Sequence, residues 1–152
     1  DDEIEDFVKL TVDRPIEVRF IELMPIGGGM DFDRSGFISC QQVLSKVPEL
    51  EPLERSEGVA VLYRLPGAKG RVGLIRPISC EFCGDCNKIR LTSDGMLKPC
   101  LHSDAELCIK GLQLDEMKEV MRNAVLQKPE MRDTLDADNP SHAGRNMNSI
   151  GG

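Results

Sequence analysis

The chain has 152 residues, 19 Lys plus Arg against 26 Asp plus Glu, and a formal net charge of −7. That length fits one domain of ordinary size or a domain with part of another, and the acidic balance excludes a nucleic-acid polymer as partner while leaving small anions free to bind local basic clusters. No apolar run approaches the roughly 20 residues of a membrane span, and no charged, apolar, small-residue leader is visible, so a cytoplasmic location is expected, with its cysteines reduced.

The first residue is Asp, not Met, and the chain begins abruptly in a charged helical pattern, so it is expected to be a piece of a longer polypeptide. Over residues 2–12, Ile4, Phe7, Val8 and Thr11 share one side of a helical wheel, opposite Asp and Glu. Asp13 to Pro15 ends that helix. IEVRFIEL, residues 16–23, is rich in β-branched and aromatic residues and is predicted to be a buried strand. Met24 and Pro25 lead from it into the successive glycines Gly27 to Gly29, which permit tight turns and close backbone approach. A helix, a buried strand and a glycine loop in that order read as the end of a parallel βα unit whose partner strands lie outside this chain.

Ser39 is the predicted N-cap of a short helix over 40–47, stopped by Pro48. Strand texture follows. Val59–Leu65, a turn over Pro66–Gly70 and Val72–Ile78 form one predicted hairpin, and Ile89–Thr92 with Met96–Lys98 flank Ser93, Asp94 and Gly95 in a second. Together they predict a small antiparallel sheet, α+β in class. Ser103 and Glu106 fit a capping box opening a helix to about Lys110. Leu114, Met117, Met121 and Val125 then recur at helical spacing up to Gln127, with the methionines expected in the core and Pro129 as the stop. From Glu130 onward periodicity vanishes, which reads as a tail.

The thiols carry the chemistry. Cys83 and Cys86 form a CxxC, and Cys100 follows after thirteen intervening residues. A CxxC turn presents two thiolates to one metal centre, and the hairpin before Cys100 can fold that residue back beside them. A structural zinc site wants four protein ligands, so three sulfurs alone leave a coordination position for substrate. Cys80 or His102 as a fourth zinc ligand stays open at this point. Cys40 and Cys108, on predicted helical segments, read as buried small hydrophobes. Lys88 and Arg90 alternate along a strand beside the cysteines, where two cations offset thiolate charge and suit phosphate.

FIELMPIGGG, then GLIRPISCEFCGDCNKIRLTSDGMLKPCL, then the terminal NMNSIGG resemble the C-terminal part of the molybdenum cofactor biosynthesis protein A family, GTP 3',8-cyclase. The likeness covers almost the whole chain. It implies a radical S-adenosylmethionine lyase that converts GTP to 3',8-cyclo-7,8-dihydro-GTP at the first step of molybdopterin formation. The fold implied is the last βα portion of a partial (β/α) barrel at 1–33, an iron-sulfur and GTP-binding domain at 34–128 made of a small antiparallel sheet with helices, and an extended tail at 129–152. The family's CxxxCxxC motif, which holds the first cluster and cleaves S-adenosylmethionine, is absent here.

By position, the resemblance implies that Cys83, Cys86 and Cys100 hold the second [4Fe-4S] cluster, whose open iron binds guanine. It implies GTP contacts at Lys88, Ile89 and Arg90, and S-adenosylmethionine contact at Met24. Arg19 matches a basic residue lining the substrate cavity, and Gly151 and Gly152 match the tail that enters the active site. Lys88 departs from the arginine usual there, replacing a planar fork by a point charge. The implied partners are GTP, S-adenosylmethionine, the N-terminal barrel portion and, as one form of association, a homodimer. Without that barrel portion the chain is expected to be inactive. A zinc-bound structural or interaction module and a ferredoxin-like electron carrier are the alternative readings.

Overall fold

Helix α1, Ile4–Asp13, buries Ile4, Val8 and Thr11 along one stripe, and it ends where Pro15 forces Arg14 into an extended conformation at φ −119°, ψ 136°. The computed structural model describes residues 2–27, 36–54, 58–80, 82–132, 135 and 141–150. These fall into two compact units, one of residues 1–23 and 33–86, the other of residues 24–32 and 87–152. Gly28 and Gly29 of the predicted glycine loop, and the terminal Gly151 and Gly152, lie outside the described residues.

In the first unit, β1 (Glu17–Ile21), β2 (Glu51–Pro52), β3 (Val61–Arg64) and β4 (Arg71–Ile75) form one sheet in the order β1-β4-β3-β2. The hairpin β3–β4 is antiparallel, as its turn chemistry requires. The expectation that β1 has no partner in this chain is corrected, because β1 pairs parallel with β4, Glu17 opposite Arg71 through Ile21 opposite Ile75. The crossover between them carries α2 (Cys40–Lys46), whose N-cap Ser39 and Gln42 form a reciprocal capping box. Ile4, Val8, Cys40, Val43, Val47, Leu50, Val72 and Leu74 form the core between helices and sheet. Each such aliphatic side chain contributes roughly 1.5–3 kcal/mol by leaving water.

Gly70 sets how the β3–β4 connection meets α1. A Cβ there would lie 2.3 Å from the Ile16 carbonyl oxygen and 2.6 Å from that of Arg14. Its own N–H donates to the Thr11 carbonyl at 2.8 Å, and the Arg71 N–H donates to Ile16 O at 2.9 Å, which starts the parallel ladder. β1 is an edge strand, so the prediction of a buried strand is also corrected: Ile21 is 57 % exposed and Leu23 42 %. An edge strand covered on one side leaves its alternate side chains to solvent.

The second unit holds a three-stranded antiparallel sheet, β5 (Arg90–Leu91), β6 (Met96–Lys98) and β7 (Leu107–Cys108), with α3 (Leu114–Leu126) packed on β6 and a short α4 (Met147–Ile150). The helix predicted from Ser103 and Glu106 does not form. Glu106 is drawn to Lys98 and Arg145, and Ser103 Oγ accepts from the Ala105 N–H at 3.0 Å, so the segment continues as an edge strand. α3 runs where its periodicity places it, but Met121 is 42 % exposed and Ala124 is its buried residue. The core-facing line runs through Met117, Val120 and Ala124, one residue out of phase with Leu114, Met121 and Val125. In the segment predicted to be an aperiodic tail, Ile150 is completely buried. No helix among the described residues is long and apolar enough to cross a membrane.

Candidate functional site

The CxxC is built by a single turn of 3₁₀ helix at Cys83–Asp85, closed by the Cys86 N–H donating to the Cys83 carbonyl at 3.1 Å. Both thiols are half-buried and outside any disulfide. The turn emerges after β4 from the carboxyl end of the parallel β1/β4 pair, the edge of an α/β sheet at which ligands bind. Behind it sits Glu22, 1 % exposed, at the end of β1. Its Oε1 accepts from the Cys40 N–H (3.0 Å) and Ser79 Oγ (2.6 Å), and its Oε2 from the N–H groups of Ile78 (3.1 Å) and Ser79 (2.8 Å). Burial alone would raise its pKa, but the donors of Ser79, Cys40 and Ile78 outweigh that and hold the carboxyl below the usual range.

Cys40 is buried at the start of α2, its Sγ directed at the carbonyls of Ile75 and Phe20. Burial and then the nearby Glu22 carboxylate push its thiol up to about 11, so it is an inert core residue, as its sequence context indicates. Cys108 is corrected: it is exposed on β7 rather than buried on a helix. Arg19 stands half-exposed in the middle of β1 and pairs with Glu17, which also binds Arg71.

In the second unit, Cys100 is free and half-buried just beyond β6. It lines a cleft of about 390 Å³ together with His102, Ser103, Arg132 and His142, a volume within the range of small-molecule sites. His102 Nδ1 is 3.0 Å from Ser141 Oγ. Burial, then the positive charges of Arg132 and Arg90, lower the His102 pKa to about 4, so the imidazole is neutral at pH 7 and Arg90 shares the electrostatic neighbourhood of the cleft. Arg90 opens β5 opposite Lys98, Ile89 is half-buried before it, and the exposed Lys88 precedes the strand, its carbonyl accepting from Lys128 Nζ at 2.8 Å. Met24 is half-buried, its carbonyl accepting from the Ile26 N–H.

The Cys100 loop is fastened from beneath by a charge network. Lys98, completely buried, donates from Nζ to the Ser103 carbonyl at 2.8 Å and to Glu106 Oε1 at 3.2 Å. Arg145 completes the network with bonds to both carboxylates, to Glu106 at 2.7 and 2.8 Å and to Asp94 at 2.8 and 3.2 Å. Hydrogen bonding to Arg145 and Thr92 lowers Asp94 to about 2. The segment carrying Arg145 is further tied by the Ser141 N–H to the Pro25 carbonyl, and Gly27 leaves no room for a Cβ against Asn146.

Sequence reading missed Glu22, Lys98, Glu106 and Arg145 as organising residues. A carboxylate inside the apolar run FIELMP is a usable signal for Glu22, whereas the network around Lys98 joins residues up to 51 positions apart and has no local signature. Cys83 and Cys86 in the first unit, and Cys100 in the second, carry thiols of the kind that ligate iron-sulfur groups. Among the described residues, however, no group of three or more Cys, His, Asp or Glu side chains is already gathered as a metal site.

The family model for Molybdenum Cofactor Synthesis C matches residues 16–141. A protein named GTP 3',8-cyclase from Alkaliphilus oremlandii is 50 % identical over 156 aligned residues, which cover 100 % of this chain and 48 % of that protein. One of the same name from Alkaliphilus metalliredigens is 48 % identical over 156 residues, again 100 % and 48 % of the two chains. A third, from Peptoclostridium acidaminophilum, is 52 % identical over 144 residues, 86 % of this chain and 44 % of its own length. The chain thus spans about half the length of the curated relatives it matches. A family match over most of the chain, with all six cysteines inside it, means that the chain belongs to the Molybdenum Cofactor Synthesis C family.

Proposed function

We propose that this chain is the nucleotide-binding part of a GTP 3',8-cyclase acting in molybdenum cofactor biosynthesis. Cys83, Cys86 and Cys100 would hold a [4Fe-4S] cluster, which with three protein ligands would offer a Lewis-acidic iron to the guanine base. Lys88, Ile89 and Arg90 bind the triphosphate side of GTP, with the two cations offsetting its charge. Arg19 lines the substrate cavity, the terminal Gly151 and Gly152 enter the active site, and Met24 contacts S-adenosylmethionine. The first cluster and most of the S-adenosylmethionine contacts come from an N-terminal barrel portion, and the chain associates with that portion or with a second copy of itself.

The observation that carries this reading is the cleft beside Cys100, lined by Arg132 as well as Asp104 and with Arg90 in electrostatic reach of its His102, a volume within the range of small-molecule sites. Orientation rather than bond cleavage is the task of such a site. The chain alone therefore binds GTP without turning it over. The test is a GTP titration of the anaerobically reconstituted chain followed by electron paramagnetic resonance of the reduced cluster. A perturbed signal is expected, lost in Cys100→Ala; an unchanged spectrum at saturating GTP overturns the assignment. One zinc per chain with no acid-labile sulfide would replace it by a structural zinc module, and cyclised GTP formed by the chain alone would refute its inactivity.

A further inference from the structure

We propose that Glu22 is a positioning residue for the metal site, holding the Ile78–Ser79 turn so that the Cys83–Cys86 pair is presented in one ligating geometry. The inference rests on the iron-sulfur reading above and adds a residue that acts through others. Glu22 lies 61 positions before Cys83 and 64 before Cys86 in the chain, and its link to them is the turn that directly precedes the CxxC.

The geometry is demanding. Two successive backbone N–H groups, of Ile78 and Ser79, converge on Oε2 as a small anion nest, while the Cys40 N–H and the Ser79 hydroxyl converge on Oε1. The Cys80 N–H donates to Arg76 O at 3.2 Å and closes the turn behind them. Each of these four contacts places a donor on the carboxylate. An ionised carboxylate has lone pairs for four donors; a glutamine amide has one oxygen, and its NH₂ must confront at least one backbone N–H. The side chain is thus a buried internal anion that links the end of β1, the first residue of α2 and the approach to Cys83. A role confined to stability would make the turn melt sooner; a positioning role changes how the two thiols meet while the protein is still folded.

The experiment compares wild type, Glu22→Gln, Ser79→Ala and, as a stability control, the core variant Val8→Ala. All are held at a temperature where circular dichroism shows each folded. Iron and sulfide retained after anaerobic reconstitution and challenge with a chelator form the first readout. The second needs no metal: the rate at which oxidised glutathione closes a Cys83–Cys86 disulfide, followed by peptide mapping. Glu22→Gln is expected to lose about tenfold or more in iron retention, as substitutions behind metal ligands do, and to slow disulfide closure by a similar factor. Ser79→Ala, which removes one donor, falls between it and wild type, and Val8→Ala matches wild type in both. Should Glu22→Gln fail to fold, Ser79→Ala decides alone. Wild-type behaviour of Glu22→Gln or, in that case, of Ser79→Ala in the disulfide readout, or in the iron readout where wild type itself retains iron, overturns the proposal, as does an equal loss in Val8→Ala. If wild type itself retains no iron with sulfide while the disulfide rates still separate the variants, the cluster reading fails and the positioning of the thiol pair by Glu22 stands.

Discussion

Replacing Lys98 by Met removes a completely buried ammonium while keeping most of the volume of its stem. The Ser103 carbonyl loses a charged donor at 2.8 Å, a loss of about 1.5–3 kcal/mol for a hydrogen bond to a charged group. Glu106 loses its 3.2 Å partner but keeps Arg145 at 2.7 and 2.8 Å. It is not left unpaired, so the roughly 3–5 kcal/mol typical of breaking a buried ion pair is not reached. Relief of the ammonium's desolvation offsets part of the remainder, and the net expectation is a loss of about 2 kcal/mol, or a fall in Tm of roughly 4–8 °C at this chain length. Urea and thermal unfolding of K98M against wild type measure it. Adding Arg145→Ala sharpens the test: in the K98M background it removes the second of the two cations paired with Glu106 among the described residues, so the double variant should lose more than the sum of the single ones. A K98M protein as stable as wild type, or strict additivity with Arg145→Ala, would refute the reasoning.

The carboxyls of Glu22, Glu17 and Glu106 sit below their ordinary value of 4.5 in the folded chain, and burial holds His102 at about 4 against an ordinary 6.5; the stabilisation from each is complete above its ordinary value and is lost as pH falls through its lower folded one, so Tm should begin to fall below about pH 6.5 and fall further below about 4.5, and a Tm that rises on acidification contradicts this. Iodoacetamide under native reducing conditions at pH 8 should label the exposed Cys80 and Cys108 first and Cys40 last, since the latter is buried with its thiol pushed up to about 11; early labelling of Cys40, read by peptide mass, is the failing result. Gly70→Ala should cost about 3 kcal/mol, the upper end of the overpacking range, because its Cβ would meet two backbone carbonyls at 2.3 and 2.6 Å that have no side-chain freedom to yield; an unchanged Tm would show that the connection to α1 can shift.

Local chemistry wrote the elements of this chain. The apolar stripe of α1 and the proline after it, the capping box at Ser39 and Gln42, and the turns of both hairpins each act within a few residues, so their signals are complete in the sequence. The CxxC and the third cysteine stand out in the sequence by residue type and spacing, which is what makes them candidates. Where the reading went astray, a distant partner had intervened. Glu106 left a cap it could have made in order to satisfy Lys98 and Arg145, and Leu107 and Cys108 became a strand beside Met96 and Leu97.

The division is therefore one of range. By itself the sequence determined periodicities, caps and turns, since each depends on neighbours a turn of helix or a hairpin away. Only the tertiary structure decided that β1 lies parallel to β4, that α3 turns Ala124 rather than Met121 inward, and that Glu22 and Lys98 are buried beneath the two cysteine-bearing segments. A buried charge is tolerable only where several donors or acceptors converge on it, and such convergence exists only after the chain has folded.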